Sequence, residues 1–167
     1  TPEAPTLESA FQGRQPSPAI PVTPGDLRAA WRQLSTGDGT ELDMVVLGSP
    51  HFSLAEFAGL APLLAGHRRH PGVQFLVTTS RGVRLLAERA GHLEALRRFG
   101  GRLTVDSCIL TTPMLPPAIR RIMTNAGKFA YYAPGLLGTQ VVFGSTADCV
   151  RSAVAGRAVR TDPLWGD

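Results

Sequence analysis

Asp43-Met44-Val45-Val46-Leu47-Gly48-Ser49-Pro50-His51-Phe52-Ser53-Leu54 is the stretch that decides the fold class. Met44 to Leu47 is a short run of apolar residues with two β-branched members, too brief for a buried helix. It predicts a strand covered on both faces. Gly48-Ser49-Pro50-His51 then breaks the run. Ser53 followed three residues later by Glu56 has the spacing of a capping box, which predicts a helix from Ser53 through Ala65.

Toward the C-terminus the same alternation recurs. Val73–Val77 is followed by Thr78-Thr79-Ser80-Arg81 and a helical pattern to about Phe99. Arg102–Val105 is followed by Asp106-Ser107-Cys108 and an expected helix around Pro117 to Met123. Gln140–Phe143 is followed by Gly144-Ser145-Thr146 and a helix over Ala147–Ala155. Parallel neighbours require crossover connections and bury both faces. The pattern therefore predicts an α/β fold: a three-layer α/β/α domain around a mostly parallel sheet of about four strands.

Toward the N-terminus, Thr23-Pro24-Gly25-Asp26 offers an N-cap, a proline at the first helical position and an acid in the first turn, ahead of Leu27–Leu34. Residues 35–40 read as a glycine-rich turn. Residues 1–24, rich in Pro, Ser and Gly without an apolar period, read as an extended linker or strap, leaving 25–167 as one α/β domain. Thr1-Pro-Glu-Ala-Pro reads as the middle of a longer chain, so the domain is expected to be one portion of a larger catalytic subunit.

With 167 residues, 43% of them hydrophobic, the chain can bury a core of ordinary size. The net charge of +4 comes from arginines scattered along helical segments, with no basic stripe interleaved by aromatics, so nucleic acid is not expected as a partner. The densest cluster, His67-Arg68-Arg69-His70, is explained by cations meeting a helix C-terminus. No apolar run is long enough to span a bilayer and no secretory leader opens the chain, so no membrane partner is expected and the cytoplasm is the expected location.

Right-handed crossovers bring the C-terminal ends of parallel strands to one edge, where open α/β sheets hold ligands. Both cysteines, Cys108 and Cys149, fall at that edge. Cys149 lies one turn into a helix capped by Ser145 and Asp148, an environment that favours thiolate. Two thiolates suit a soft metal centre or an iron–sulfur cluster, but a cluster needs three or four ligands, at least one of which would come from elsewhere. The alternative is that both are inert small hydrophobes. His51, in a strand-to-helix turn after a cis-capable Ser-Pro junction, is either ligand-facing or structural. Arg81, behind Ser80 at a helix start, either clamps a carboxylate or is solvated.

Met123 to Gly138, with its glycines and two tyrosines, reads as a long ordered loop. In it Asn125 and Lys128 offer donors to an anion, in a glycine pattern that is neither a P-loop nor a dinucleotide fingerprint.

Residues 43–54, 106–108, 124–135 and 143–153, taken together and in order, resemble aconitase X, the hydro-lyase family that includes bacterial cis-3-hydroxy-L-proline dehydratases and archaeal phosphomevalonate dehydratases. The resemblance covers nearly the whole chain but only the C-terminal part of the family's large subunit or domain. It implies an aconitase-like fold and an iron–sulfur cluster held by three cysteines, two mapping to Cys108 and Cys149 and the third outside this chain. It also implies the N-terminal remainder of the large subunit and a small swivelling subunit or domain as partners. Serine is common in the family where Ala126 stands here.

The wording GSPHFS and GKFAYYAPG favours the hydroxyproline branch. The implied reaction removes water from cis-3-hydroxy-L-proline to give Δ1-pyrroline-2-carboxylate. Cys108 and Cys149 are then expected as metal ligands, Asn125 and Lys128 near the substrate carboxylate with Ser80 and Arg81 as further substrate contacts, and His51, Ser49 and Lys128 in the catalytic set. The competing readings are phosphomevalonate dehydration on the same scaffold, and a cluster-free domain that binds a small anion at the same edge.

Overall fold

The computed structural model describes residues 2–15, 17–37 and 39–161, so the last part of the expected domain, 162–167, lies outside the described residues. In chain order the elements are α1 (Leu7–Phe11), α2 (Pro24–Gln33), β1 (Met44–Leu47), α3 (Leu54–Leu64), β2 (Gln74–Thr79), α4 (Arg81–Arg89), α5 (His92–Phe99), β3 (Arg102–Val105), β4 (Arg121–Thr124), α6 (Gly127–Leu137), β5 (Gln140–Phe143) and α7 (Thr146–Ala155). All neighbouring strands are parallel, in the order β3-β2-β1-β4-β5.

Strand alternation sorts the interior into two cores, one on each face of the sheet. Val45, Leu47, Phe75, Val77 and Met123 pack with α3, α5 and α7 through Phe52, Phe57, Leu60, Leu64, Leu93, Leu96, Phe99 and Cys149. Met44, Val46, Leu76, Ile122 and Val141 pack on the other face with Phe129, Ala130 and Ala133 of α6 and with Ile109, Leu110 and Ile119. The first core holds two edge-to-face aromatic pairs, Phe52–Phe57 at 5.1 Å and Phe75–Phe99 at 5.0 Å between ring centroids. Truncating any of these buried rings would cost about 3–5 kcal/mol.

Four details differ from the sequence reading, each for a physical reason. Arg121 to Thr124 is a strand, not the end of a helix. Pro113, Pro116 and Pro117 prevent a helix in the crossover from β3, and the Asp43 carboxylate accepts the N–H groups of Arg120 and Arg121, both at 2.9 Å, starting β4 between β1 and β5. The sheet thus has five strands rather than about four.

Residues 127–137, read as loop, form α6. Phe129, Ala130 and Ala133 make a helical stripe buried on the second face, which outweighs the glycines and Pro134. The helical pattern before Phe99 is two helices, divided at Gly91 in the left-handed conformation (φ 78°). The opening segment contains the short α1, held by a Thr6–Ser9 capping box with no residue buried.

The exposed edge of β5 is covered rather than left open. Ser35 and Thr36 hydroxyls accept the N–H groups of Phe143 and Val141, each at 3.0 Å. Unpaired strand edges invite association with other chains, and this turn removes that edge from solvent.

Candidate functional site

The chain progresses from β1 through β2 to β3 in one direction and, after the crossover, through β4 to β5 in the other. The direction reverses between β1 and β4, which makes their C-terminal ends the topological switch point where such sheets bind ligands. Two segments meet there: Gly48-Ser49-Pro50-His51 after β1, and Asn125-Ala126-Gly127-Lys128 after β4.

The first segment is locked onto β2. Gly48 adopts φ +82°, and a Cβ at that position would lie 2.4 Å from the Thr78 carbonyl oxygen, so only glycine fits. The Thr78 hydroxyl sits 2.8 Å from the Gly48 carbonyl oxygen, Phe52 N–H donates to the Thr78 carbonyl at 2.8 Å, and the Thr79 hydroxyl donates to the Phe52 carbonyl at 2.6 Å. The Ser49–Pro50 peptide is cis. This bracing leaves Ser49 buried with its hydroxyl unpartnered among the described residues, a costly state for a polar group that has no ligand to satisfy it. His51, one residue past the turn's proline, is exposed at the rim.

The second segment opens α6 without a side-chain cap. Ala126 is the N-cap residue, with extended backbone (φ −99°, ψ 109°) and no hydroxyl to offer. Its own N–H donates to the buried Thr124 hydroxyl at 3.1 Å. No described residue accepts the N–H groups of Gly127, Lys128 or Phe129. Those amides, the helix dipole and the Lys128 ammonium in the first turn are matched to an anion. Asn125 does not stand free: its side-chain amide donates to Thr146 Oγ1 at 3.0 Å, bridging to the start of α7.

Ser80 and Arg81 are engaged in fold contacts. Ser80 caps α4 by accepting the Val83 N–H. Arg81 pairs with Asp106 at 3.0 Å, and the Arg81 N–H donates to the other oxygen of the same carboxylate at 2.9 Å. Asp106, in the left-handed region at φ 53°, thus serves as the acid at the α4 N-terminus.

The two cysteines lie beneath opposite faces of the sheet, Cys149 in the core with α3 and α7, Cys108 against the core with α6. Cys149 is fully buried. Burial, and then the neighbouring Asp148 carboxylate, push its thiol well above the ordinary range, so the expectation of a helix-stabilised thiolate does not hold in this arrangement. Cys108 is half-buried. Burial opposes ionisation there too, but hydrogen bonds from Leu110 and Thr111 and the charge of Lys128 outweigh it, holding the thiol below its ordinary value. Among the described residues no three His, Cys, Asp or Glu side chains converge on a metal-sized site. The described residues therefore do not compose a cluster site by themselves; of the two cysteines, Cys108 is the more accessible and Cys149 is fully buried.

Sequence reasoning placed Thr146 in the turn after β5 and Asp148 in the cap of α7, but it missed that Thr146 accepts from Asn125 and that Asp148 also holds Arg151 and Thr161. The buried Asp148 carboxylate accepts from Ser145, Arg151 and Thr161, and these hydrogen bonds overcome its burial to hold its pKa below the ordinary 3.8. The signal for Thr146 was present in the Gly-Ser-Thr turn after β5, but pairing across 21 residues needs the register of β4 against β5.

Residues 42–155 match the family description "Aconitase X third domain". The cis-3-hydroxy-L-proline dehydratase of Pseudomonas aeruginosa is 51% identical over 99% of the chain, which spans 29% of that protein. The phosphomevalonate dehydratase large subunit of Thermococcus kodakarensis is 35% identical over 68% of the chain, and the match spans 29% of that subunit. A crystal structure titled Thermococcus kodakaraensis aconitase X (holo-form) superimposes with a TM-score of 0.69 at 31% identity, covering 80% of this chain and 34% of that one. The chain thus spans less than a third of the length of these curated relatives.

Proposed function

The chain belongs to the aconitase X family, and from that premise we propose that it is the third domain of a hydro-lyase that dehydrates cis-3-hydroxy-L-proline to Δ1-pyrroline-2-carboxylate. The observation that carries the reading is the 51% identity to a cis-3-hydroxy-L-proline dehydratase over 99% of the chain, against 35% over 68% for the phosphomevalonate relative. The site supports it chemically. A cyclic amino acid presents one carboxylate, which suits one uncapped helix N-terminus with one lysine.

In this reading the carboxylate lies at the N–H groups of Gly127, Lys128 and Phe129, with the Lys128 ammonium beside it. Asn125, held by Thr146, fixes the approach of α6. The Ser49 hydroxyl, buried and without a partner among the described residues, donates to a ring substituent of the substrate, and His51 at the rim contributes to the polar wall around the reacting carbons. Elimination breaks the C3–O and Cα–H bonds, releases water and leaves an enamine that tautomerises to the cyclic imine. Donors fixed before reaction stabilise the charge that develops on the carboxylate as the Cα proton leaves.

Aconitase X enzymes generally depend on an iron–sulfur cofactor. The described residues do not compose a cluster site by themselves. Cys108 is the ligand candidate this chain offers; Cys149 would join it only in an arrangement that uncovers its sulfur. The other ligands, the N-terminal remainder and the small swivelling subunit or domain belong to the rest of a cytoplasmic assembly in this proposal. Among the described residues no helix is long and apolar enough to cross a membrane.

The test is turnover by the intact protein, prepared anaerobically. Water loss from cis-3-hydroxy-L-proline, with no reaction of phosphomevalonate and with iron lost in Cys108→Ser, is the expected result. Turnover of phosphomevalonate alone transfers the chain to the other branch. An iron-free protein that binds small carboxylates without turnover returns it to the anion-binding alternative.

A further inference from the structure

We propose that the outward face of α6 is the surface on which this domain docks against the domains that precede it in the intact enzyme. Helix α6 has two unlike sides. Phe129, Ala130 and Ala133 are buried against the sheet, whereas Tyr131, Tyr132 and Leu136 stand 70%, 48% and 58% exposed. The two tyrosine rings meet edge to face at 5.0 Å. Lys128, Tyr132 and Leu136 follow one another at intervals of four, forming a line along the helix. Lys128 is the one charged residue in the helix, and Gly135 on the same side has open space around it.

An ordinary solvated helix looks different, as α4 and α5 demonstrate. Their exposed leucines, Leu85 and Leu86, sit among Arg84, Glu88, Arg89, Glu94, Arg97 and Arg98, several of which pair with one another. The α6 face lacks such charges and carries tyrosine and leucine instead. Charge depletion with aromatic enrichment is the compositional mark of an interface centre, and contiguous exposed apolar groups on soluble domains mark interaction surfaces.

The occupant follows from the domain's position in its family. The chain matches a third domain and spans 29% of its dehydratase relative, so most of the polypeptide lies outside it. The α6 face starts at Lys128, at the rim of the proposed site, whose other metal ligands would come from outside this chain in that reading. A domain that covers that rim continues directly onto Tyr131, Tyr132 and Leu136. This inference rests on the family assignment and on the proposed position of the site, not on the identity of the substrate.

Accessibility in the intact protein tests it without any assay of activity. Leu136→Cys is introduced, and maleimide labelling at that position is followed by peptide mass spectrometry. The expected labelling rate in the native protein is at least tenfold below the rate in denaturant. Equal rates overturn the proposal, and so does protection that lifts on dilution together with a fall in oligomeric state, which assigns the face to a second copy. Hydroxyl-radical oxidation of Tyr131 and Tyr132 reads the same surface in the unsubstituted protein: slow oxidation supports docking, and oxidation at the rate of free tyrosine overturns it.

Discussion

The side-chain amide of Asn125 donates to Thr146 Oγ1 at 3.0 Å, joining the end of β4 to the first residue of α7. It couples the start of α6, where an anion is proposed to bind, to a second helix N-terminus that is itself held by the Ser145–Asp148 capping box. Removing the hydroxyl loosens Asn125 without touching the substrate. Thr146→Val should therefore lower kcat/KM of the intact enzyme about tenfold, the worth of one well-placed hydrogen bond, while Thr146→Ser restores it. Steady-state kinetics of both variants check the point; an unchanged kcat/KM in Thr146→Val, which keeps the methyl group and loses only the hydroxyl, would show that this hydrogen bond does not matter.

Lys128 and Arg81 are both cations near the proposed site, but among the described residues only Arg81 of the two has a carboxylate partner, Asp106 at 3.0 Å. That pair is largely solvent-exposed and worth little to stability. Arg81→Ala is expected to change KM less than about threefold, and Lys128→Ala to raise it at least about tenfold, as loss of a charge-assisted contact does. A larger effect at Arg81 would mean that Asp106 releases it in the complex.

Much of this fold was legible because its signals are local. The strand Met44–Leu47, the Ser53–Glu56 capping box and the α7 cap at Ser145 depend on neighbouring residues and stand where the pattern put them. The misread elements depend on distant partners. Arg121–Thr124 is a strand because Asp43 and β1 capture it, and Gly127–Leu137 is a helix because Phe129, Ala130 and Ala133 have a sheet face to bury against. The site divides the same way. The edge itself follows from topology, so Ser49 could be placed there, whereas Asn125 and Lys128, read as part of a loop, reach it only because β4 is captured beside β1. Which face each cysteine would occupy depends on the parity of the sheet and the path of the crossover, and neither is written in the spacing of Cys108 and Cys149.

The opposite environments of the cysteines predict opposite reactivity. Cys108, half-buried with its thiolate favoured by Thr111, Leu110 and Lys128, should be alkylated by iodoacetamide at least about a hundredfold faster than the fully buried Cys149. Lys128→Gln removes a positive charge that lowers the Cys108 pKa, so the midpoint of its alkylation pH profile should move upward. Peptide mapping of the alkylated metal-free protein over a pH series measures both. A fast-reacting Cys149 would show that α7 opens readily from its core.

Asp148 should dominate the acid response of the C-terminal part of the fold. Its carboxylate is 3% exposed and accepts from Ser145, Arg151 and Thr161, fastening residues 157–161 to α7. The hydrogen bonds lower its pKa in the folded state against the effect of burial. The stabilisation is therefore complete above the ordinary value of 3.8 and is lost as pH falls below it through the folded value. Asp148→Ala should cost about 2–4 kcal/mol at neutral pH, combining a lost cap with a lost buried carboxylate network. The difference from wild type should shrink in acid, which denaturant titrations at several pH values would detect.

Ala126 stands at the N-cap of α6 with the extended backbone that a capping serine adopts, yet it has no oxygen to give. Thr124 already accepts the Ala126 N–H, so a new hydroxyl at position 126 would be free to accept the N–H two or three residues on, which has no partner among the described residues. Ala126→Ser should accordingly stabilise the domain by about 1 kcal/mol, raising Tm by about 2–4 °C for a chain of this size. The same hydroxyl competes with an anion for one of the three α6 amides, so the gain in Tm produced by a saturating carboxylate ligand should be smaller in the variant than in wild type. Differential scanning fluorimetry of both proteins, with and without cis-3-hydroxy-L-proline, separates the two effects. If the ligand shifts Tm equally in both, the carboxylate is held somewhere other than the start of α6.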